Sequence, residues 1–155
     1  MITIELVGDD RIAARLDAMP GRMHDGLARA VTRLGLELQR QVQAEKLSGQ
    51  VLKVRTGSLR SSINTALADA PARIEASVGT NIRYARPHEY GVAHPWTIAA
   101  KGRALRFVIG GRVIFRRSVR HPPLPERSFL RSALADMAPR IDEGLREAVA
   151  QSLRT

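Results

Sequence analysis

A single stripe of apolar residues constrains the fold of this chain more than any other feature of its sequence. Between Arg22 and Lys46 such residues recur every three or four positions, with arginine and glutamate between them; they are Leu27, Val31, Leu34, Leu38 and Val42. This period is that of an amphipathic α-helix, whose apolar side must be covered by other elements. We expect Ser48-Gly49 to end the helix. The sequence thus predicts one long helix packed against the rest of the domain.

Shorter patterns predict the elements around this helix. Residues 2–6 alternate as a half-buried strand, and residues 9–20 form a short helix that starts at Asp9 or Asp10 and ends at Pro20-Gly21. Residues 73–78 alternate as a second strand. Residues 84–95 are expected to be irregular, because prolines and glycine break any regular pattern there.

A hairpin and a second long helix are predicted in the C-terminal part. Alternating residues on both sides of Gly110-Gly111 indicate a tight hairpin, with Arg106, Arg112 and Arg116 mainly on the face opposite the large apolar residues. The last helix should start near Glu126 or Ser128 and be kinked or broken at Pro139. The prediction is one domain over residues 1–155, of α+β class, in which two long helices pack on a small, mostly antiparallel β-sheet and a basic hairpin protrudes.

The basic residues are concentrated in one part of the chain. The 155 residues carry 25 Lys and Arg against 15 Asp and Glu, a net charge of +10. Between Glu89 and Glu126 there is no acidic residue, and this interval contains Lys101, Arg103, Arg106, Arg112, Arg116, Arg117 and Arg120. Such a surface suits a polyanion or an acidic protein surface as its partner; the alternative is a solvated basic face with no dedicated partner.

Motifs for catalysis or metal binding are absent from the sequence. Without cysteine there can be no disulfide or thiolate chemistry. His88-Glu89 resembles the start of a zinc-protease motif, but Val92 stands where the second histidine is needed. We therefore expect no cofactor, no metal and no enzymatic activity. With no signal peptide and no long apolar run, the protein is expected to be soluble and made in a cytoplasm.

The stretch from Lys53 to Ile63, KVRTGSLRSSI, invites comparison with a phosphate-binding loop. It has one glycine where such a loop needs two, and a long helix precedes it. A structural corner and helix start, with Leu59 and Ile63 packed inside, is favoured over anion binding by Arg55 and Arg60. Trp96 belongs either to a small satellite cluster or to an interface.

Three motifs in order resemble a known family. They are Thr56-Gly57-Ser58-Leu59-Arg60, the run from Tyr84-Ala85 to His88-Glu89-Tyr90-Gly91, and Pro125 with Arg127-Ser128-Phe129-Leu130. Over nearly its whole length the chain resembles the head–tail joining and tail-completion proteins of long-tailed bacteriophages and prophages, the lambdoid minor tail type related to virion morphogenesis proteins of Mu-like phages. It departs from them at Glu126-Arg127-Ser128, where the family usually has Ala-Arg-Pro.

The resemblance implies a structural virion protein of the neck, or head-tail connector, that forms an oligomeric ring, expected to be a hexamer. Implied partners are the head adaptor or stopper, the tail terminator or tail tube proteins, and genome DNA without sequence preference; no membrane is implied. The seven cations are the expected DNA- or partner-facing residues. The candidates for subunit contacts are Arg55, Arg60, Tyr84, His88, Glu89, Tyr90, Trp96 and Phe129.

The sequence is also compatible with two other functions. The same arginines suit a free, sequence-independent nucleic-acid-binding protein, which duplex binding across a salt series would distinguish. An enzyme of the lysis or nuclease type lacks a motif, and would require activity that depends on His88 or Glu89.

Overall fold

Helices and small antiparallel sheets make up the chain in a computed structural model that describes residues 2–5, 21–54 and 56–154. The predicted α+β class is confirmed. The short helix predicted within residues 9–20, and Arg55, lie outside the described residues. In chain order the elements are β1 (Ile2–Glu5), α1 (Gly21–Gln41), α2 (Ser58–Ser61), β2 (Asn64–Ala70), β3 (Arg73–Thr80), α3 (Ala85–Tyr90), β4 (Trp96–Ala99), β5 (Leu105–Ile109), β6 (Arg112–Arg116), β7 (Ser118–His121) and α4 (Leu130–Arg154).

Helix α1 buries the apolar stripe seen in the sequence. Leu27, Val31, Leu34 and Leu38 are all buried along it. The chain continues beyond Gln41 in wider, π-type turns over Val42–Gln50, which Gly49 closes with a φ of 130°. The Lys46 ammonium in these turns lies 2.6 Å from the Asp136 carboxylate, and this ion pair joins them to α4.

A three-stranded antiparallel sheet with the order β1-β3-β2 lies against α1. Strand β3 pairs with β1 over Ile2–Glu5 and with β2 over Asn64–Ala70. Strand β2 was not predicted from the sequence. Most of the side chains of β2 are exposed, so it lacks the alternation of apolar and polar residues that marks a half-buried strand.

The main core lies where the two long helices meet the sheet and the turns beside α2. Its fully buried side chains include Val42, Ile63, Val78, Phe129 and Leu130. Helix α4 runs from Leu130 to Arg154 with Pro139 inside it, so the break considered for this position does not occur. The helix begins two residues beyond Ser128, the later of the two predicted starts. Among the described residues, no helix has the length and apolar character needed to cross a membrane.

The prediction of an irregular segment over residues 84–95 was wrong for its first part. Residues Ala85–Tyr90 form the short helix α3, whereas residues 91–95 belong to no helix or strand. Pro87 is tolerated because it lies in the first turn, where a backbone N–H has no partner within the helix. Gly91 ends α3 with a φ of 69°, and a Cβ at this position would lie 2.8 Å from the Glu126 nitrogen. Only glycine fits both the backbone conformation and the close approach.

Candidate interaction surfaces

Residues 96–121 form an interrupted two-stranded ribbon, hereafter the arm. Strand β4 pairs with β7, and β5 pairs with β6. The Ala100 amide donates to the Arg117 carbonyl between the two ladders, so residues 101–104 form an insertion in one strand of a single ribbon. At the tip, Gly110 and Gly111 both have positive φ, as the favoured two-residue hairpin turn requires. Ten residues of extended chain correspond to an arm of about 30 Å.

The faces of the β5–β6 hairpin differ from the sequence prediction. Residues directly opposite each other in an antiparallel pair share a face, and Leu105 is opposite Arg116 while Ile109 is opposite Arg112. Arg112 and Arg116 therefore lie on the face of the large apolar residues of β5, which corrects their predicted placement. Of the three arginines of this hairpin, Arg106 alone lies on the other face, where Phe115 is opposite it.

The arm presents cations that have no carboxylate partner among the described residues. All seven of its Lys and Arg residues are exposed: Lys101, Arg103, Arg106, Arg112, Arg116, Arg117 and Arg120. None of the ion pairs found among the described residues includes any of them. The positive charge of the arm is thus available to an anionic partner.

Large apolar side chains are also exposed near the tip of the arm. Val108, Ile109 and Phe115 are about 60% exposed, at 61%, 64% and 59%, and Val113 at 46%. Within the described part of the chain, β5 and β6 make their main contacts with each other. A two-stranded ribbon on its own is only marginally stable in water, so contact with another molecule would stabilise the tip.

An aromatic pair lies at the base of the arm. Trp96 and His121 are directly opposite each other, and their rings stack with centroids 4.1 Å apart. Trp96 is half-buried. This pair corresponds to the satellite cluster considered for Trp96; its alternative role in an interface stays a prediction.

The buried carboxylate of Glu89 joins two of the three sequence motifs. Glu89 is completely buried and lies on α3, yet its carboxylate accepts hydrogen bonds at the start of α4. The donors are the backbone amides of Phe129, Leu130 and Arg131, at 2.8, 2.9 and 3.0 Å, and the Ser128 hydroxyl at 2.8 Å. A carboxylate from a distant part of the chain thus satisfies the free amides of a helix N-terminus and lies at its positive end.

Arg131 completes the pairing of this carboxylate. Its Nε donates to Glu89 at 3.2 Å, and its Nη2 donates to the Glu89 carbonyl and to the Glu126 carboxylate. The guanidinium also lies 4.7 Å from the centre of the Tyr90 ring. Burial by itself raises the pKa of Glu89, but the hydrogen bonds that it accepts outweigh this effect and hold the pKa below its ordinary value. Glu89 is therefore charged near neutral pH.

His88, next to Glu89, has little access to water on one side. Its Nδ1 is buried without a hydrogen-bond partner among the described residues. Burial lowers the pKa of His88, and the nearby charge of Arg127 and of His121 lowers it further. The imidazole is therefore mainly neutral near pH 7. No group of three or more His, Cys, Asp or Glu residues suited to a metal ion occurs in the described parts of the chain.

The Lys53–Ile63 stretch forms a corner tied to its neighbours by hydrogen bonds. Gly57 has a φ of 78° and precedes the single turn α2. The Ser62 hydroxyl lies 2.7 Å from that of buried Thr80, and Gln43 donates to the carbonyls of Arg60 and Ile63. Ile63 is buried in the core and Leu59 packs against it. These contacts agree with the structural corner expected there.

The structure separates the candidate contact residues into two groups. Glu89 and Phe129 are completely buried inside the chain, so their side chains cannot contact another subunit, which corrects their assignment. Arg60, Tyr84 and Tyr90 are exposed, while His88 and Trp96 are partly buried. For these five the subunit contact remains a prediction.

Neither Arg131 nor Thr80 was among the residues predicted from the sequence. Ser128 was predicted as a possible start of the last helix, but not as a hydrogen-bond donor to Glu89. Nothing in the sequence around Arg131 or Thr80 indicates that their side chains contact Glu89 and Ser62, which are 42 and 18 positions away.

Comparison of the chain with protein-family models, with curated proteins and with solved structures yields no significant match.

Proposed function

We propose that this chain is a structural virion protein at the head–tail junction of a long-tailed phage, prophage or related particle. In this proposal it is a subunit of a neck or tail-completion ring, and its arm protrudes from the scaffold of two long helices toward DNA or a neighbouring protein. The ring, its copy number and its head and tail partners are taken from the resemblance of the three motifs. The activity proposed is assembly, without an enzymatic reaction.

The observation that carries the proposal is the arm. Seven exposed cations lie on it without a carboxylate partner among the described residues, and apolar side chains are exposed beside them. A surface facing DNA in a channel favours such a composition, because a carboxylate there would repel phosphate. Exposed apolar groups are expected where another protein covers them.

The geometry of Glu89 supports a structural role of this residue rather than a catalytic one. The carboxylate is inaccessible and its oxygens accept hydrogen bonds from the start of α4. Glu89, one of the most reactive-looking residues of the sequence, thus has a structural role. It joins two of the three motifs that resemble those of the neck proteins.

The double charge reversal Arg116→Glu with Arg117→Glu tests the role of the arm. Both side chains are exposed, so the variant should fold like the parent chain, while particle assembly or DNA retention should be impaired. Binding of the isolated chain to duplex DNA at low salt should weaken by roughly tenfold or more, because two phosphate contacts become repulsive. Infectious titre, particle morphology and duplex binding are the measurements.

A matched control is Arg29→Glu with Arg40→Glu, which changes the same number of charges at exposed positions of α1. This control should assemble normally. Normal titre from the arm variant, or electron microscopy that shows no density for the protein at the head–tail junction, would contradict the proposal.

A sequence-independent nucleic-acid-binding protein is the second candidate, favoured by the same unpaired arginines. Tight binding by the isolated chain to duplexes of unrelated sequence would support this free DNA-binding role. Weak binding that falls steeply with salt concentration agrees with a channel surface.

A further inference from the structure

A groove on the side of the domain near α2 brings the three sequence motifs to one surface. It has a volume of about 470 Å³ and is lined by residues of the π-type turns, the corner and α3. From the motifs come Thr56, Gly57, Leu59 and Arg60, then Tyr84 and His88, and lastly Arg127. Arg127 is held beside His88 because its amide donates to the His88 carbonyl at 2.8 Å.

The groove combines apolar and cationic groups. Leu47, Leu52 and Leu59 contribute buried or partly buried apolar surface, and Val54 and Tyr84 are about half exposed, at 50% and 48%. Lys53, Arg60 and Arg127 supply three exposed cations. None of the described residues that line the groove is acidic, and none of these three cations takes part in the ion pairs seen in the described chain.

We propose that this groove binds a short acidic and apolar peptide segment of another protein. The cations complement carboxylates, and the apolar side chains provide contact area for one or two Leu-, Ile- or Phe-like side chains of the same segment. A nucleic-acid backbone has no apolar group for the leucines and valines, and the arm offers it a larger cationic surface. The proposal concerns a second surface and does not depend on the position of the protein in a virion.

Selection of a randomised peptide library on the full-length chain tests the proposal. Enriched peptides should carry Asp or Glu next to Leu, Ile or Phe. Their affinity should fall by roughly tenfold or more for Arg60→Glu with Arg127→Glu, because two attractive charges become repulsive. The matched control is Arg83→Glu with Arg86→Glu, which reverses two exposed cations outside the groove and should bind the peptides like the parent chain.

A second variant tests the apolar part of the groove without changing charge. Val54→Ser alters a half-exposed side chain, so it should fold normally and weaken peptide binding several-fold. Circular dichroism and thermal unfolding check that each variant is folded.

Three results would overturn the proposal. The first is a failure to enrich any peptide, and the second is enrichment of peptides without acidic residues. The third is equal loss of affinity in both double variants, which would indicate a long-range charge effect. If short duplex DNA binds the parent chain but not the Arg60 and Arg127 variant, and no peptide is retained, the groove is a nucleic-acid site instead.

Discussion

Glu89 shows how one buried side chain can organise distant parts of a small domain. Its carboxylate is withdrawn from water, which is costly unless every acceptor position is used. The start of α4 supplies three amides and one hydroxyl, and Arg131 adds a charged donor. The result is a helix cap provided by a residue about 40 positions earlier, rather than by the residue before the helix.

Replacement of Glu89 by glutamine should destabilise the fold without abolishing it. The amide keeps the shape of the side chain but removes the charge, and its NH₂ group meets donors instead of acceptors. We expect the free energy of unfolding to fall by about 1–3 kcal/mol. Urea unfolding at neutral pH measures this, with Glu126→Gln, an exposed carboxylate, as a control that should change it by less than about 1 kcal/mol. Equal stabilities for the two variants would contradict the role of Glu89.

The lowered pKa values of His88 and Glu89 predict a loss of stability in acid. A group whose pKa is lower in the folded state binds more protons in the unfolded state, so its contribution is lost as pH falls. For His88 this loss begins near its ordinary pKa of 6.5, and for Glu89 near 4.5. Above pH 6.5 for His88 and above pH 4.5 for Glu89, the contribution of the group to the free energy of unfolding is fully present.

Urea unfolding over a pH series separates the two groups. Relative to the parent chain, Glu89→Gln should show a shallower decline below about pH 4.5, and His88→Gln a shallower decline starting near pH 6.5. Parallel curves for the parent and both variants would exclude a contribution of either group to the pH dependence.

At the scale of the elements, α4 combines a favourable start with an unfavourable interior residue. Glu89 satisfies the N-terminal amides, whereas Pro139 lacks an amide and lies exposed in the middle of the helix. An interior proline removes one helical hydrogen bond and crowds the preceding turn. The helix persists because its apolar side, including Met137 and Ile141, is buried in the core.

Replacement of Pro139 by alanine should therefore raise the free energy of unfolding by about 1–2 kcal/mol, because the helical hydrogen bond is restored. The same change at Pro125, which is exposed in the segment before α4, removes no such strain and serves as the control. Denaturant unfolding measures both. A decrease in stability for Pro139→Ala would contradict the view that the proline strains the helix.

At the scale of the whole molecule, a packed scaffold carries an exposed arm. The main core comes from the two long helices, β3 and the segments near α2, while no residue of 105–116 is fully buried. The arm carries +7 of the net charge of +10. Substitutions in the arm should therefore have little effect on the stability of the scaffold.

Replacement of residues 105–116 by a short Gly-Ser linker should consequently leave the free energy of unfolding within about 1 kcal/mol of the parent chain, because little buried surface is lost. The same variant should lose most of its affinity for duplex DNA. Urea unfolding and binding at low salt are the measurements. A loss of several kcal/mol would show that the arm belongs to the cooperative unit.

The sequence by itself determined the features that depend on local geometry. The three-to-four-residue period of Leu27 to Leu38 matches the turn of α1, and a Gly-Gly pair allows the positive φ values at the tip of the arm. The order of charged residues along the chain revealed the carboxylate-free interval. Each of these follows from residues that are neighbours in the chain.

Only the tertiary structure decided which distant residues meet. The exposed strand β2 has no hydrophobic periodicity of its own and forms because its backbone pairs with β3. In the arm, β4 pairs with the distant strand β7. The position of Glu89 inside the domain, at the start of α4, follows from the docking of α3 beside that helix. Such contacts depend on the free energy of the whole packed arrangement, which no local pattern encodes.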